Sequence, residues 1–194
     1  MSETALTRYR PNYVAKKALF SFLGSAFRLY DTSGNLAFYV KQKAFKLKEE
    51  ITVYADEGQK DAMLTIKARS VMDFSATYDV TDARSGELVG SMRREGVKSM
   101  FRDEWTLLDA GGHDLGKVKE DSGVMALIRR FFLKIIPQTF RVTVADAEVG
   151  TIKQKFNPFQ LGYDVDFAQA DGKLDPRLSV AAVVLLLAIE GRQN

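Results

Sequence analysis

Asp175-Pro-Arg-Leu-Ser-Val-Ala-Ala-Val-Val-Leu-Leu-Leu-Ala-Ile-Glu190 is the stretch on which the fold turns. Asp175 stands where a helix N-cap belongs, and Pro176 takes the first helical position, where a missing N–H costs nothing. From Val180 to Ile189 every residue is apolar. A helix without a polar side is either buried on all faces or lies in a bilayer. A bilayer span takes about 20 apolar residues. This run is half that, with Asp175 and Arg177 before it and Glu190 and Arg192 after it. The length favours a core helix sheathed by the rest of the chain, and no transmembrane span is expected.

The sheath is legible upstream as a repeated unit of strand, tight turn and strand. Phe27 to Phe38 alternates inward and outward residues on both sides of a turn from Asp31 to Asn35. The pattern returns in Ile51 to Ile66, Ala76 to Gly90 and Trp105 to Gly116, and more weakly in Phe140 to Ile152. The turn acids Asp31, Asp56, Asp82, Asp109 and Asp146 stand 25, 26, 27 and 37 positions apart. Asp, Asn and Gly close hairpins because they tolerate positive φ or bond their own backbone.

Five hairpins give ten strands, and Tyr13 to Phe20 and Leu161 to Phe167 add a first and a last one. Short alternating runs spaced by turns indicate an antiparallel sandwich or barrel. Eight strands already make a barrel that its own side chains fill, so about twelve need something further inside. The apolar C-terminal helix has the right size and chemistry. The expected fold is mainly β: a twelve-stranded closed antiparallel barrel around a central hydrophobic helix. All 194 residues form one domain, with its ordered core from about Tyr13 to Glu190.

Gly123 to Ile136 reads as one amphipathic helix outside the hairpin series. Val124, Leu127, Ile128, Phe131, Phe132 and Ile135 share one side, Arg129, Arg130 and Lys134 the other, and Pro137 ends it. Packing on one end of the barrel and lying in a membrane interface both account for that pattern.

Composition narrows the function. The first twelve residues are polar and lack an apolar signal core, so a cytoplasmic protein, peripheral to a membrane if associated with one, is expected. The absence of cysteine removes disulfides, thiolate metal sites and cysteine nucleophiles. A net charge of +3 and a pI near 9.0 lean weakly toward anionic partners. Aromatic residues do not interleave with bases as nucleic-acid binding requires, so no nucleic-acid partner is expected.

With the hairpin series and terminal helix in place, the chain resembles the Tubby C-terminal-like superfamily, which includes LURP-one-related proteins and phospholipid scramblases. The resemblance rests on Phe27…Asp31…Gly34, Val149-Gly-Thr-Ile-Lys-Gln-Lys-Phe156, Tyr163-Asp-Val-Asp-Phe167 and the helix from Asp175. It runs from about Tyr13 to Glu190, and the LURP-one-related branch fits better because nothing is appended to the barrel. The resemblance implies a twelve-stranded barrel wrapped around a hydrophobic helix, and a binding role without catalysis.

Two sets of site residues follow from it. Tubby domains bind phosphoinositide headgroups through gathered lysines and arginines. Lys41, Lys43, Lys46 and Lys48, with Arg129, Arg130 and Lys134, are the candidate headgroup contacts here, and Arg93, Arg94, Lys98 and Arg102 form a further basic group. Scramblases carry an acidic calcium segment before the terminal helix. Asp164 and Asp166 occupy its last carboxylate positions, on one face of a strand. Calcium takes six to eight oxygens, and Asn157 to Gly162 upstream supplies no acid. Solvating the barrel wall is the commoner role of charged strand faces, and for both the basic and the acidic set it is the favoured reading.

Catalysis finds little support. The single histidine, His113, falls in the Gly111-Gly112-His113-Asp114 turn, and a nucleophile needs a base that is itself held in place. Adjacent acids such as Glu49-Glu50 and Asp103-Glu104 diverge on strands. Trp105 reads as core. The expectation is a non-enzymatic domain without a cofactor that binds anionic phospholipid at a membrane surface. A protein-interaction module, its partner unknown, is the alternative, and scramblase-like activity the third reading.

Overall fold

The computed structural model describes residues 8–18, 25–42, 50–69, 76–95, 104–121, 137–155, 157 and 160–189. Twelve strands follow in chain order. The first six are β1 (Asn12–Ala18), β2 (Ser25–Tyr30), β3 (Leu36–Gln42), β4 (Glu50–Tyr54), β5 (Ala62–Ala68) and β6 (Thr77–Asp82). The next are β7 (Leu88–Arg94), β8 (Glu104–Leu108), β9 (Asp114–Glu120), β10 (Thr139–Val144), β11 (Ala147–Lys155) and β12 (Gln160–Asp166), and helix α1 (Pro176–Ile189) ends the described chain. Each strand pairs antiparallel with its sequence neighbours, and β1 pairs with β12, closing the barrel. Closure leaves no unpaired edge for another chain to template on. The amphipathic segment from Gly123 to Ile136 lies outside the described residues.

Helix α1 runs inside. Residues Arg177 to Ala188 are buried on every side. They share one core with inward side chains from all twelve strands, including Tyr13, Phe27, Phe38, Val53, Leu64, Val80, Met92, Trp105, Val118, Phe140, Ile152 and Val165. Each fully buried Val or Leu contributes about 1.5–3 kcal/mol, so the helix and the wall stabilise each other. Fourteen helical residues measure about 21 Å. A seven-residue strand tilted by about 40° rises about 18 Å along a barrel axis. The helix therefore reaches from one rim to the other.

A regular device recurs in the five hairpins β2–β3, β4–β5, β6–β7, β8–β9 and β10–β11. Each pairing shifts register just before its turn, so the second strand carries one extra residue. The extra residues are Ala37, Met63, Val89, Leu115 and Val149, and the first four stand 26 positions apart. A β-bulge bends its strand and raises the local twist. All five are apolar, four are buried in the core and Leu115 packs against it, so each bulge adds a hydrophobic side chain at the hairpin end of the barrel. Gly90, one residue past a bulge, faces Leu178 of the helix. A Cβ there would lie 2.5 Å from the Leu108 carbonyl oxygen and 3.3 Å from Leu178 Cδ2.

Candidate functional site

The alternation of strand directions gives the barrel two unlike ends. At the hairpin rim lie the five tight turns, residues 8–11 leading into β1, and the segment from Phe167 to Asp175 that feeds α1. The opposite rim, here the connection rim, holds the far strand ends, among them Ala18, Gln42, Ala68, Arg94, Glu120 and Lys155. The longer segments 19–24, 43–49, 70–75, 96–103, 122–136 and 156–159 leave and rejoin the barrel at those ends.

The hairpin rim is acidic, and its carboxylates are committed to structure. Its loops 31–35, 55–61, 83–87, 109–113, 145–146 and 167–175, with residues 8–11, carry nine Asp and Glu against five Lys and Arg, Arg8 and Arg10 among them. Asp31 Oδ1 accepts the N–H groups of Asn35 (2.8 Å) and Ser33 (2.9 Å). The first of these bonds does most to hold its carboxyl below the usual range. Asp109 uses the same device on the His113 N–H at 2.8 Å, which together with the imidazole lowers its pKa. His113 is exposed, its Nδ1 lying 3.1 Å from Asp109 Oδ2, so the only histidine is a turn residue.

Where α1 enters the barrel, the sequence hides a charge cluster. Asp175 caps the helix by accepting the Arg177 N–H at 2.8 Å. The Arg177 side chain, 9% exposed, donates to Asp175 Oδ2 (2.8 Å), Glu87 Oε2 (3.0 Å) and Asp82 Oδ2 (3.2 Å). Bonds from Asp175 raise the Arg177 pKa most. Burial alone would raise the Asp82 pKa. The N–H groups of Ser85 and Arg84 and the Arg177 charge outweigh it, and the carboxyl sits below its ordinary value. Turn chemistry identifies Asp82 in the sequence, but its buried partner comes from 95 residues away.

The connection rim is different in kind. The six segments that join its strand ends contain eight Lys and Arg against three acids, and nine of the chain's thirteen phenylalanines. Lys41, Lys67 and Lys155 are exposed on the described strand ends at this rim. Two further cations point inward there. Lys17 Nζ lies 4.7 Å from the centre of the Phe27 ring, and the Arg94 guanidinium 6.0 Å from that of Trp105. Trp105 is fully buried and packs against Tyr78 at 5.9 Å.

Of the predicted headgroup residues, Lys41 lies at the end of β3, opposite Ala26 of β2. Lys43, Lys46, Lys48, Arg129, Arg130 and Lys134 lie outside the described residues, as do Lys98 and Arg102. The strand ends that bracket them, Gln42 with Glu50, Arg94 with Glu104, and Glu120 with Thr139, all belong to the connection rim.

Asp164 and Asp166 do share the outer face of β12. They border a cleft of about 390 Å³ that Asn12, Thr151 and Lys153 also line. Asp164 is paired with Lys155 Nζ at 2.7 Å, and Asp166 Oδ1 accepts the Ala168 N–H at 2.9 Å. Among the described residues no three acidic or histidine side chains gather where they could hold a metal ion. Two carboxylates, one of them neutralised by lysine, fall well short of the oxygen set that calcium takes.

Comparison with known proteins agrees with this architecture. The model of the LURP-one-related family matches residues 36–187. Among solved structures, the X-ray structure of an Arabidopsis thaliana protein superposes with a TM-score of 0.51 at 17% sequence identity, over 94% of this chain and 95% of that one. At that identity the likeness speaks for a shared fold. No curated protein matches the sequence.

Proposed function

The chain belongs to the LURP-one-related family, and from that premise we propose that it is a non-catalytic binding domain for anionic phospholipid headgroups at a cytoplasmic membrane surface. The observation that carries this reading is the unequal charge of the two rims. Nine acids to five bases at one end stand against eight bases to three acids in the connecting segments of the other. Each Lys or Arg near an anionic leaflet contributes about 1 kcal/mol, so four or five acting together are enough to localise a protein. Phenylalanines in the same segments supply the apolar contact that charge alone lacks. Helix α1 occupies the barrel interior, and binding falls to the outside of the molecule.

The contacts proposed are Lys41, Lys43, Lys46 and Lys48 on one segment and Arg129, Arg130 and Lys134 on another. Co-sedimentation with phosphatidylcholine vesicles, with and without phosphatidylserine or phosphoinositide, tests the reading. Binding is expected only to the anionic vesicles, and it weakens as added salt shortens the screening length. Reversing Lys43, Lys46 and Lys48 to Glu removes it. Failure to sediment with any anionic vesicle ends the lipid reading and leaves a protein partner as the ligand.

A further inference from the structure

Residues 8–11 cross the mouth of the barrel at the hairpin rim without joining its sheet, for the β1 ladder begins only at Asn12. We infer that they form a latch over the place where α1 enters, and that its release opens the hairpin mouth while the wall of the barrel stays paired. The inference stands apart from the lipid reading.

A few bonds hold this strap, and they reach different parts of the mouth. Nη1 of Arg8 donates to the carbonyl oxygens of Ala37 and Ala55, each at 3.0 Å, and so ties hairpin β2–β3 to hairpin β4–β5. On the other side the Phe167 N–H donates to the Pro11 carbonyl at 2.7 Å, joining the strap to the segment that feeds α1. The Tyr13 hydroxyl accepts the Arg10 N–H and donates to the Arg8 carbonyl at 3.3 Å, which fixes the strap to β1. Tyr9 is buried, its ring 5.1 Å from that of Phe38.

Tyr9 also supplies the weak point. Its hydroxyl is buried and finds no hydrogen-bond partner among the described residues, although it lies in the field of Asp82 and Arg177 at the entrance of the helix. A buried hydroxyl left unpaired costs free energy that water returns on opening. The strap is held mainly by side chains and not by a ladder, whereas every strand is paired on both sides. Segments with few backbone bonds open at lower free energy than a core does. Release of residues 8–11 breaks no strand pairing, and it brings water to Tyr9, the Arg177 cluster and the first turn of α1.

Hydrogen exchange of the full chain, followed residue by residue by NMR under native conditions, tests the latch. Arg8→Met keeps the apolar stem and removes both carbonyl bonds. The amides of Phe167, Leu178 and Ser179, whose bonds lie at the strap and in the first turn of α1, are expected to exchange about ten- to hundredfold faster in it, with those of β8 and β9 unchanged. Tyr9→Phe removes the unpaired hydroxyl and slows the same amides. Unchanged exchange at the mouth in Arg8→Met, or equal acceleration in β8 and β9, overturns the latch. So does unchanged or faster exchange at the mouth in Tyr9→Phe, a test that holds even if Arg8→Met does not fold.

Discussion

The guanidinium of Arg177 lies 3.2 Å from the carboxylate of Asp82, 95 positions away in sequence, with both side chains 9% exposed. This pair joins the first turn of the central helix to the hairpin between β6 and β7. It ties the helix to the wall at the end where the helix enters. Glu87 and Asp175 complete the cluster, so a single cation balances three carboxylates.

Removing that cation leaves the buried Asp82 carboxylate without its charge partner, held only by the N–H groups of Ser85 and Arg84. Taking one member out of a buried pair costs about 3–5 kcal/mol, whereas replacing both by apolar groups is often neutral. Arg177→Met is expected to lower unfolding stability by about 3 kcal/mol in urea titration. In the background of Asp82→Asn the same change costs measurably less, which a double-mutant cycle reads as coupling between the two sites.

Acid should act through the same residues. The folded-state pKa values of Asp82 and Asp79 lie below their ordinary values. For Asp79, burial raises the pKa, and bonds from Arg69 and Ser91 outweigh it. A carboxyl with a depressed folded pKa contributes its full stability above the unfolded value, about 3.9, and loses it as pH falls through the folded one. Stability is expected to be flat above about pH 5 and to decline from about pH 4 downward. Asp82→Asn makes that decline shallower; an unchanged acid slope counts against the cluster's role.

Gly90 tests the close approach of β7 and β8 beside the helix. The clash of an added methyl with the Leu108 carbonyl involves backbone on both sides, so no flexible side chain can yield. Overpacking of this kind costs about 1–3 kcal/mol. Gly90→Ala should lower the melting temperature, while Gly34→Ala, where nothing crowds the Cβ but φ is +83°, reports backbone strain alone.

The turn between β10 and β11 offers a change in the opposite direction. Ala145 and Asp146 both have positive φ, 46° and 64°, the pair of conformations that a two-residue type I′ hairpin requires. Asn followed by Gly adopts it with less strain. Ala145→Asn with Asp146→Gly is expected to raise stability by about 0.5–1 kcal/mol in thermal or urea unfolding.

Much of the architecture was readable because it is written in local patterns. Alternation marked the walls, and turn acids marked four hairpins that the structure closes with the same carboxylate-to-backbone bonds. Helix α1 begins one residue after its predicted cap and ends one short of Glu190. The 26-position spacing of bulges was less visible. A bulged residue such as Met63 or Leu115 is simply another apolar residue in a strand, and only the partner's register shows it to be extra. The candidate site was legible as composition, in clusters of Lys and Arg around Lys41–Lys48 and Arg129–Lys134.

By itself, the amino-acid order determined a ten-residue greasy helix too short to cross a membrane, and enough hairpins to enclose it. Burial of that helix is dictated by water, which acts on each residue irrespective of distant partners. Tertiary structure alone decided that Arg177 meets Asp82, that Gly90 receives Leu178, and that five hairpin turns gather at one rim. Those outcomes depend on strand direction and register, which arise only when segments far apart in the chain pair.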